Sequence, residues 1–169
     1  MGRQEVMSPE FSPFNSAVET GLRCLAVLSE AYPAGYSLQR LVVFDYLLVH
    51  SDDAPGGPAG LHPQTPNRSG ELLVRRETLH GGLMLYQSRG LVERLFRADG
   101  VYFIATDKSP SFLDVLDSSY AVDLRTRAEW VVEAFGKESD EQVAAFANEH
   151  IGTWGAEFEN SAVLWMEKQ

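Results

Sequence analysis

The chain has 169 residues, with 14 Lys and Arg against 24 Asp and Glu, a formal charge of −10; a surface of that sign repels phosphate, which excludes a generally basic nucleic-acid coat. Hydrophobic residues make up 44% of the chain and aromatics 11%, enough at this length to bury one core without metals or disulfides. The single cysteine, Cys24, allows no internal disulfide, and no stretch reaches the roughly 18 uninterrupted apolar residues of a membrane span, so the expectation is a one-domain protein of the reducing cytoplasm.

Residues 1–14 carry Pro9 and Pro13 and few periodic apolar positions, and read as a loose arm. Ser16-Ala17-Val18-Glu19 then has the S-x-x-E form of a capping box, with Val18, Leu22, Leu25 and Leu28 following at helical spacing. This first helix ends before Tyr32-Pro33-Ala34-Gly35. Ser37 caps a second helix over 38–50, apolar on nearly every face except at Asp45. Such a segment is buried, and its β-branched content also allows part of it to be strand. Residues 51–70 hold four of the eight prolines and four glycines. They predict a long loop, with Leu61, His62 and Asn67 arguing for an ordered one.

A third helix is expected over 71–89, with Leu72, Leu79, Leu83 and Tyr86 on one side and a kink or break permitted at Gly81-Gly82. Gly90 stops it. Two β-rich runs, 91–96 and 101–105, are joined by a turn containing Asp99-Gly100, the signature of a hairpin. Short and long helices follow over 112–116 and 120–135. Ser139-Asp140-Glu141-Gln142 opens another toward Ile151, and a last one is read over 156–166. Three helices and then a hairpin is the order of a winged helix-turn-helix. The fold class is therefore α+β, mostly α: a winged core over 15–110, and a helical extension over 111–169 packed on it.

The charge is unevenly spread. Six arginines face three glutamates over 68–97, a balance of +3, whereas nine acids and two lysines from Ala128 onward give −7. Arg75, Arg76 and Arg89, with Arg94 and Arg97 on the wing, have the chemistry of phosphate contacts. The plainer reading makes Glu71 and Arg75 an i,i+4 ion pair and leaves the wing arginines as exposed strand and turn residues. In a chain this acidic the segment suits protein contact or a solvated face better than duplex binding. The long loop ahead of the third helix also crowds any approach to a major groove.

His50, His62, His80 and His150 include no pair at i,i+3 or i,i+4, and there is no C-x-x-C. No metal site, cofactor or catalytic constellation is expected. Cys24 lies in an apolar run, no serine stands in G-x-S-x-G, and neither Gly81-Gly82 nor Gly56-Gly57 has the lysine of a phosphate loop. Trp130, Phe135, Phe146, Trp154, Phe158 and Trp165 supply core to the C-terminal helices, with a docking surface as the functional alternative.

The runs Phe14-Asn15, Glu19-x-Gly21-Leu22-Arg23, Leu38-Gln39-Arg40-Leu41-Val42, Asp45-Tyr46, His50-Ser51, Leu61-His62-Pro63, Arg68-Ser69-Gly70-Glu71-Leu72-Leu73-Val74-Arg75-Arg76, Ser88-Arg89-Gly90-Leu91-Val92-Glu93-Arg94 and Trp154-Gly155-Ala156-Glu157-Phe158 span most of the chain. Together they resemble a middle component of the bacterial ABC-three-component conflict systems, related to the Lamassu type. The resemblance implies a non-catalytic subunit linking an SMC-like or Rad50-like ABC ATPase, which engages DNA, to an effector such as a nuclease. On this reading Arg68, Glu71, Arg75, Arg76, Arg89, Arg94 and His62 bind partners, DNA is met only indirectly or within the complex, and no membrane is involved. The competing readings are a free-standing winged-helix transcription regulator and a hydrolase using His62 with Asp52 or Asp53 and a metal.

Overall fold

The computed structural model describes residues 16–63 and 68–151. In chain order they form α1 (Ala17–Ala31), β1 (Tyr36–Ser37), α2 (Leu38–Val49), a 3-10 turn (Ser51–Asp53), α3 (Arg68–Ser88), β2 (Val92–Arg97), β3 (Gly100–Ala105), α4 (Ser109–Asp114), α5 (Ser119–Phe135) and α6 (Asp140–His150). The fold is α+β and mostly helical. The arm at 1–14 and the helix read over 156–166, with Trp154, Phe158 and Trp165, lie outside the described residues.

Caps fix the helix starts. Ser16, Ser37, Ser118 and Ser139 each accept a backbone N–H from the third residue on, and at α6 Gln142 returns the bond to complete a capping box. Once so started, the segment holding Asp45 is helix throughout. Every residue of α2 from Arg40 to Val49 is buried, the arrangement expected of a helix apolar on all sides. It lies among α1, α3, α5 and α6, and α1 packs in turn on α3 and α5. One apolar cluster, including Leu25, Leu28, Phe44, Leu48, Leu79, Leu83, Phe103, Val131 and Val143, joins the N-terminal helices, the sheet and the C-terminal helices.

Three differences from the sequence reading have local causes. First, β1 was not foreseen: two residues carry no periodicity, yet Tyr36 and Ser37 pair with Phe103 and Tyr102, giving an antiparallel sheet of order β1-β3-β2. Second, α3 begins at Arg68 and α4 at Ser109, each three residues earlier than expected. With the 3-10 turn at its other end, the proline-rich loop is correspondingly shorter. Third, α3 runs unbroken through Gly81-Gly82. A Cβ on Gly82 would lie 2.7 Å from the Ala17 carbonyl oxygen and the Gly21 nitrogen, and one on Gly21 would lie 2.5 Å from the Tyr86 ring. These glycines let α1 and α3 cross with their backbones in contact. Gly90, at φ +73°, takes the left-handed conformation that ends α3 and turns the chain into β2.

A second tie holds the C-terminal helices. Arg40 of α2 donates to Asp140 Oδ1 at 2.7 Å, to the Gly136 carbonyl at 3.4 Å and to the Glu138 carbonyl, so one guanidinium spans the end of α5 and the start of α6. Its other face lies over Tyr36, 5.0 Å from the ring centroid.

The two neighbouring glycines separate space from propensity. Gly82→Ala forces a side chain into the helix crossing and is expected to cost about 1–3 kcal/mol. Gly81→Ala meets nothing within 4 Å and is expected to stabilise by about 0.5–1 kcal/mol. Urea denaturation of the two variants checks both signs.

Candidate functional site

Three charged side chains converge where α1, α2 and α3 meet. Arg23, Asp45 and Arg75 are 0%, 1% and 4% exposed. Asp45 receives Arg23 Nε on Oδ1 at 2.6 Å, and Arg23 Nη2 and Arg75 Nη1 on Oδ2 at 3.3 and 2.5 Å. Thr20 Oγ1 takes a further 3.4 Å bond from Arg23, and the Arg75 guanidinium lies 5.6 Å from the Tyr46 ring centroid. Burial alone would raise the Asp45 pKa, but the two guanidiniums outweigh it and hold the carboxyl below its usual range. Burial, with Asp45 nearby, pushes the Cys24 thiol well up, so this cysteine is a packing residue.

A chain of polar rings leads outward from this junction. Tyr46 donates to Asp53 Oδ2 at 2.5 Å. Its ring contacts His50 at 4.7 Å, His50 meets the edge of His62 at 6.3 Å, and His62 Nε2 bonds the Tyr120 hydroxyl at 2.9 Å. The half-buried His62 has its pKa pushed down to about 4, by burial first and then by Arg23, Arg75 and His50. It is therefore neutral at physiological pH.

The first part of the proline-rich loop is fastened to the same place. The Leu61 and His62 amides both donate to the Val49 carbonyl, at 2.9 and 3.1 Å. Ser51 Oγ and the forked guanidinium of Arg127 reach the Ala59 carbonyl from α2's end and from α5. The loop thus closes over the polar chain and carries His62 into it.

The residues proposed to bind partners do not share one surface. Arg75 lies in the core, which corrects its placement on an open helix face; it pairs with Asp45, thirty residues away. His62 belongs to the internal chain. Arg76, half-buried, lines a cavity of about 470 Å³ with Leu38, Glu77 and His80. Arg89, Arg94 and Arg97 are exposed at the end of α3 and on the hairpin. Arg94 lies 5.7 Å from the Phe96 ring and Arg97 4.9 Å from that of Tyr102. Arg68 and Glu71 begin α3, and their side chains lie outside the described ones. The sequence reading did not single out Arg23, Asp45, Arg40 or Arg127 as site residues. The available signal was a charge embedded in an apolar helical run, which a buried pair explains better than a solvated face.

Chemically the junction is a brace, with both carboxylate oxygens already held by guanidiniums. Asp53 is engaged by Tyr46, and among the described residues no group of three or more His, Cys, Asp and Glu is placed to hold a metal ion. No described helix is long and apolar enough to cross a membrane.

Residues 13–157 match the family model described as ABC-three component (ABC-3C) system Middle Component 2. Among curated proteins and among solved structures nothing matches the chain.

Removing the carboxylate leaves two guanidiniums buried around it. Asp45→Ala is expected to cost about 3–5 kcal/mol, and joint replacement of Arg23, Asp45 and Arg75 by apolar residues of similar size to cost less than that single change, as urea denaturation measures. His62 supplies a pH signature. Its folded pKa lies below the ordinary 6.5, so the unfolded chain binds more protons between about 4 and 6.5, and stability should rise with pH across that window. Asp45 contributes its own loss only in stronger acid, below the ordinary carboxylate pKa of about 3.9. His62→Gln should flatten the upper slope in thermal melts taken from pH 4 to 7.

Proposed function

The chain belongs to the ABC-three-component Middle Component 2 family, and from that premise we propose that it acts as a non-catalytic adaptor in an antiphage or antiplasmid complex of the Lamassu-related kind. It links an SMC-like or Rad50-like ABC ATPase to an effector such as a nuclease, and works in the cytoplasm. In this reading α1 to β3 form a winged-helix core over 15–110, the β2–β3 hairpin is the wing, and 111–169 is an extension of it.

The observation that carries the reading is the division of the cations between inside and outside. Arg23, Arg40 and Arg75 are buried in ties between helices, whereas Arg89 stands exposed at the end of α3 and Arg94 and Arg97 on the hairpin, Arg94 beside Phe96, itself 74% exposed, and Arg97 beside Tyr102. Arginine beside an aromatic is a composition that protein interfaces favour. Arg89 and Arg94 then touch the partner directly, with Arg68, Glu71 and Arg76 along α3. Arg75 and His62 act behind them, by fixing α3 and the loop. The net charge of −10 keeps the free subunit off duplex DNA and leaves phosphate contact to the assembled complex.

Co-expression with the ABC ATPase and effector of the same three-component system provides the test. The wild-type chain should copurify with both, and Arg89→Glu with Arg94→Glu should abolish copurification while leaving the melting temperature unchanged. Retention by that folded variant moves the interface elsewhere. A wild-type chain that captures neither component but binds one duplex sequence tightly at physiological salt would instead be a transcription regulator.

A further inference from the structure

The β2 strand lies at an edge of the sheet: the order is β1-β3-β2, and no described strand pairs along its outer side. The register shows which backbone groups face that side. The two-residue connection makes Arg97 and Gly100 a hydrogen-bonded pair, and by alternation Leu95 with Tyr102 and Glu93 with Ile104 are bonded pairs too. The Thr106 amide, donating to the Leu91 carbonyl at 3.1 Å, continues the same alternation. The N–H and C=O groups of Arg94 and Phe96 therefore point away from β3. Their side chains share the face that carries Val92, Phe103 and Ala105 into the core, but here it runs past the body, with Phe96 74% and Val101 41% exposed.

Charges on an edge strand ordinarily discourage pairing with other chains. The order Glu93-Arg94-Leu95-Phe96-Arg97 makes one pairing attractive, with itself. Set antiparallel to a second β2 about a two-fold axis at Leu95, Arg94 falls opposite Phe96 of the second copy. That is a pair whose backbone groups both face the new seam. Glu93 falls opposite Arg97, and Leu95 opposite Leu95; symmetry repeats each unlike pair. Centring the axis on Arg94 would oppose two arginines, and centring it on Phe96 would separate Glu93 from Arg97.

We propose that β2 is a homodimerisation strand, through which two copies of this chain join their three-stranded sheets into one. The pairing needs no other component; it runs through the backbone edge of β2, whereas the contact that the adaptor reading gives to Arg94 is made by its side chain on the face of the sheet.

Sedimentation velocity on the purified full chain over a concentration series tests it. The wild type should show a reversible dimer. Glu93→Arg or Arg97→Glu alone places like charges opposite each other twice per dimer and should weaken association about tenfold or more. The double variant exchanges the charges across the axis and should restore it. Phe96→Pro removes an outward N–H while sparing the ladder to β3, and should give a monomer with unchanged circular dichroism; if that variant does not fold, the charge exchange decides alone. A wild type that is monomeric throughout, or a dimer indifferent to both charge reversals, overturns the proposal. So does a monomer whose Phe96→Pro variant loses an ABC-system component that the wild type retains, since the edge then takes a foreign strand. Failure to copurify with the ATPase and effector would end the adaptor reading and leave the dimer result as it stands.

Discussion

The arrangement of α1, α2 and α3 depends on one buried carboxylate. Asp45 sits inside an otherwise apolar helix, where an isolated charge is expensive, and it is held there by Arg23 from one side and Arg75 from the other. An ion pair in such a place adds little net stability over a well-packed apolar core, but it tolerates very few geometries. The three helices must meet with these three residues at one level, and that level places Gly21 against Gly82 so that the backbones touch. The start of the hairpin is thereby placed as well, because Gly90 follows α3 directly and turns into β2.

The remaining elements build outward from this constraint. The loop after α2 is drawn in by the Val49 carbonyl and by Arg127, which lets His62 lie between His50 and Tyr120, where burial first and two nearby arginines second keep it neutral. Arg40 does for the C-terminal helices what Asp45 does for the first three, satisfying carbonyls left open where α5 ends. The consequence is a sorting of charge that the totals conceal. The arginines within helix crossings serve the fold, and those of the hairpin remain at the surface, on a strand whose outer side no described strand pairs.

Much of this was legible from residue order. Serine caps marked three helix starts to within a residue or two, and the run of apolar residues in α2 marked the most buried helix. Gly90 and Asp99-Gly100 bounded the hairpin. The two-residue β1 was not legible, because a strand that short exists only through its pairing with Phe103 and Tyr102. Nor was the reason for Gly82, which with Gly81 reads in the sequence as a weak point and which the helix crossing uses as a contact. Arg75 illustrates the difficulty for sites. Beside Arg76, and four residues from Glu71, it has every local mark of a solvated helix face, and its partner Asp45 is thirty residues away in sequence.

By itself, then, the sequence determined the composition of the fold, the ends of most elements and the segment in which positive charge gathers, since these follow from propensity, capping and periodicity within a few turns of chain. Only the tertiary structure decided which charges are structural and which are free to meet another molecule. That decision depends on desolvation and on partners brought close by helix packing, and neither is a property of neighbouring residues.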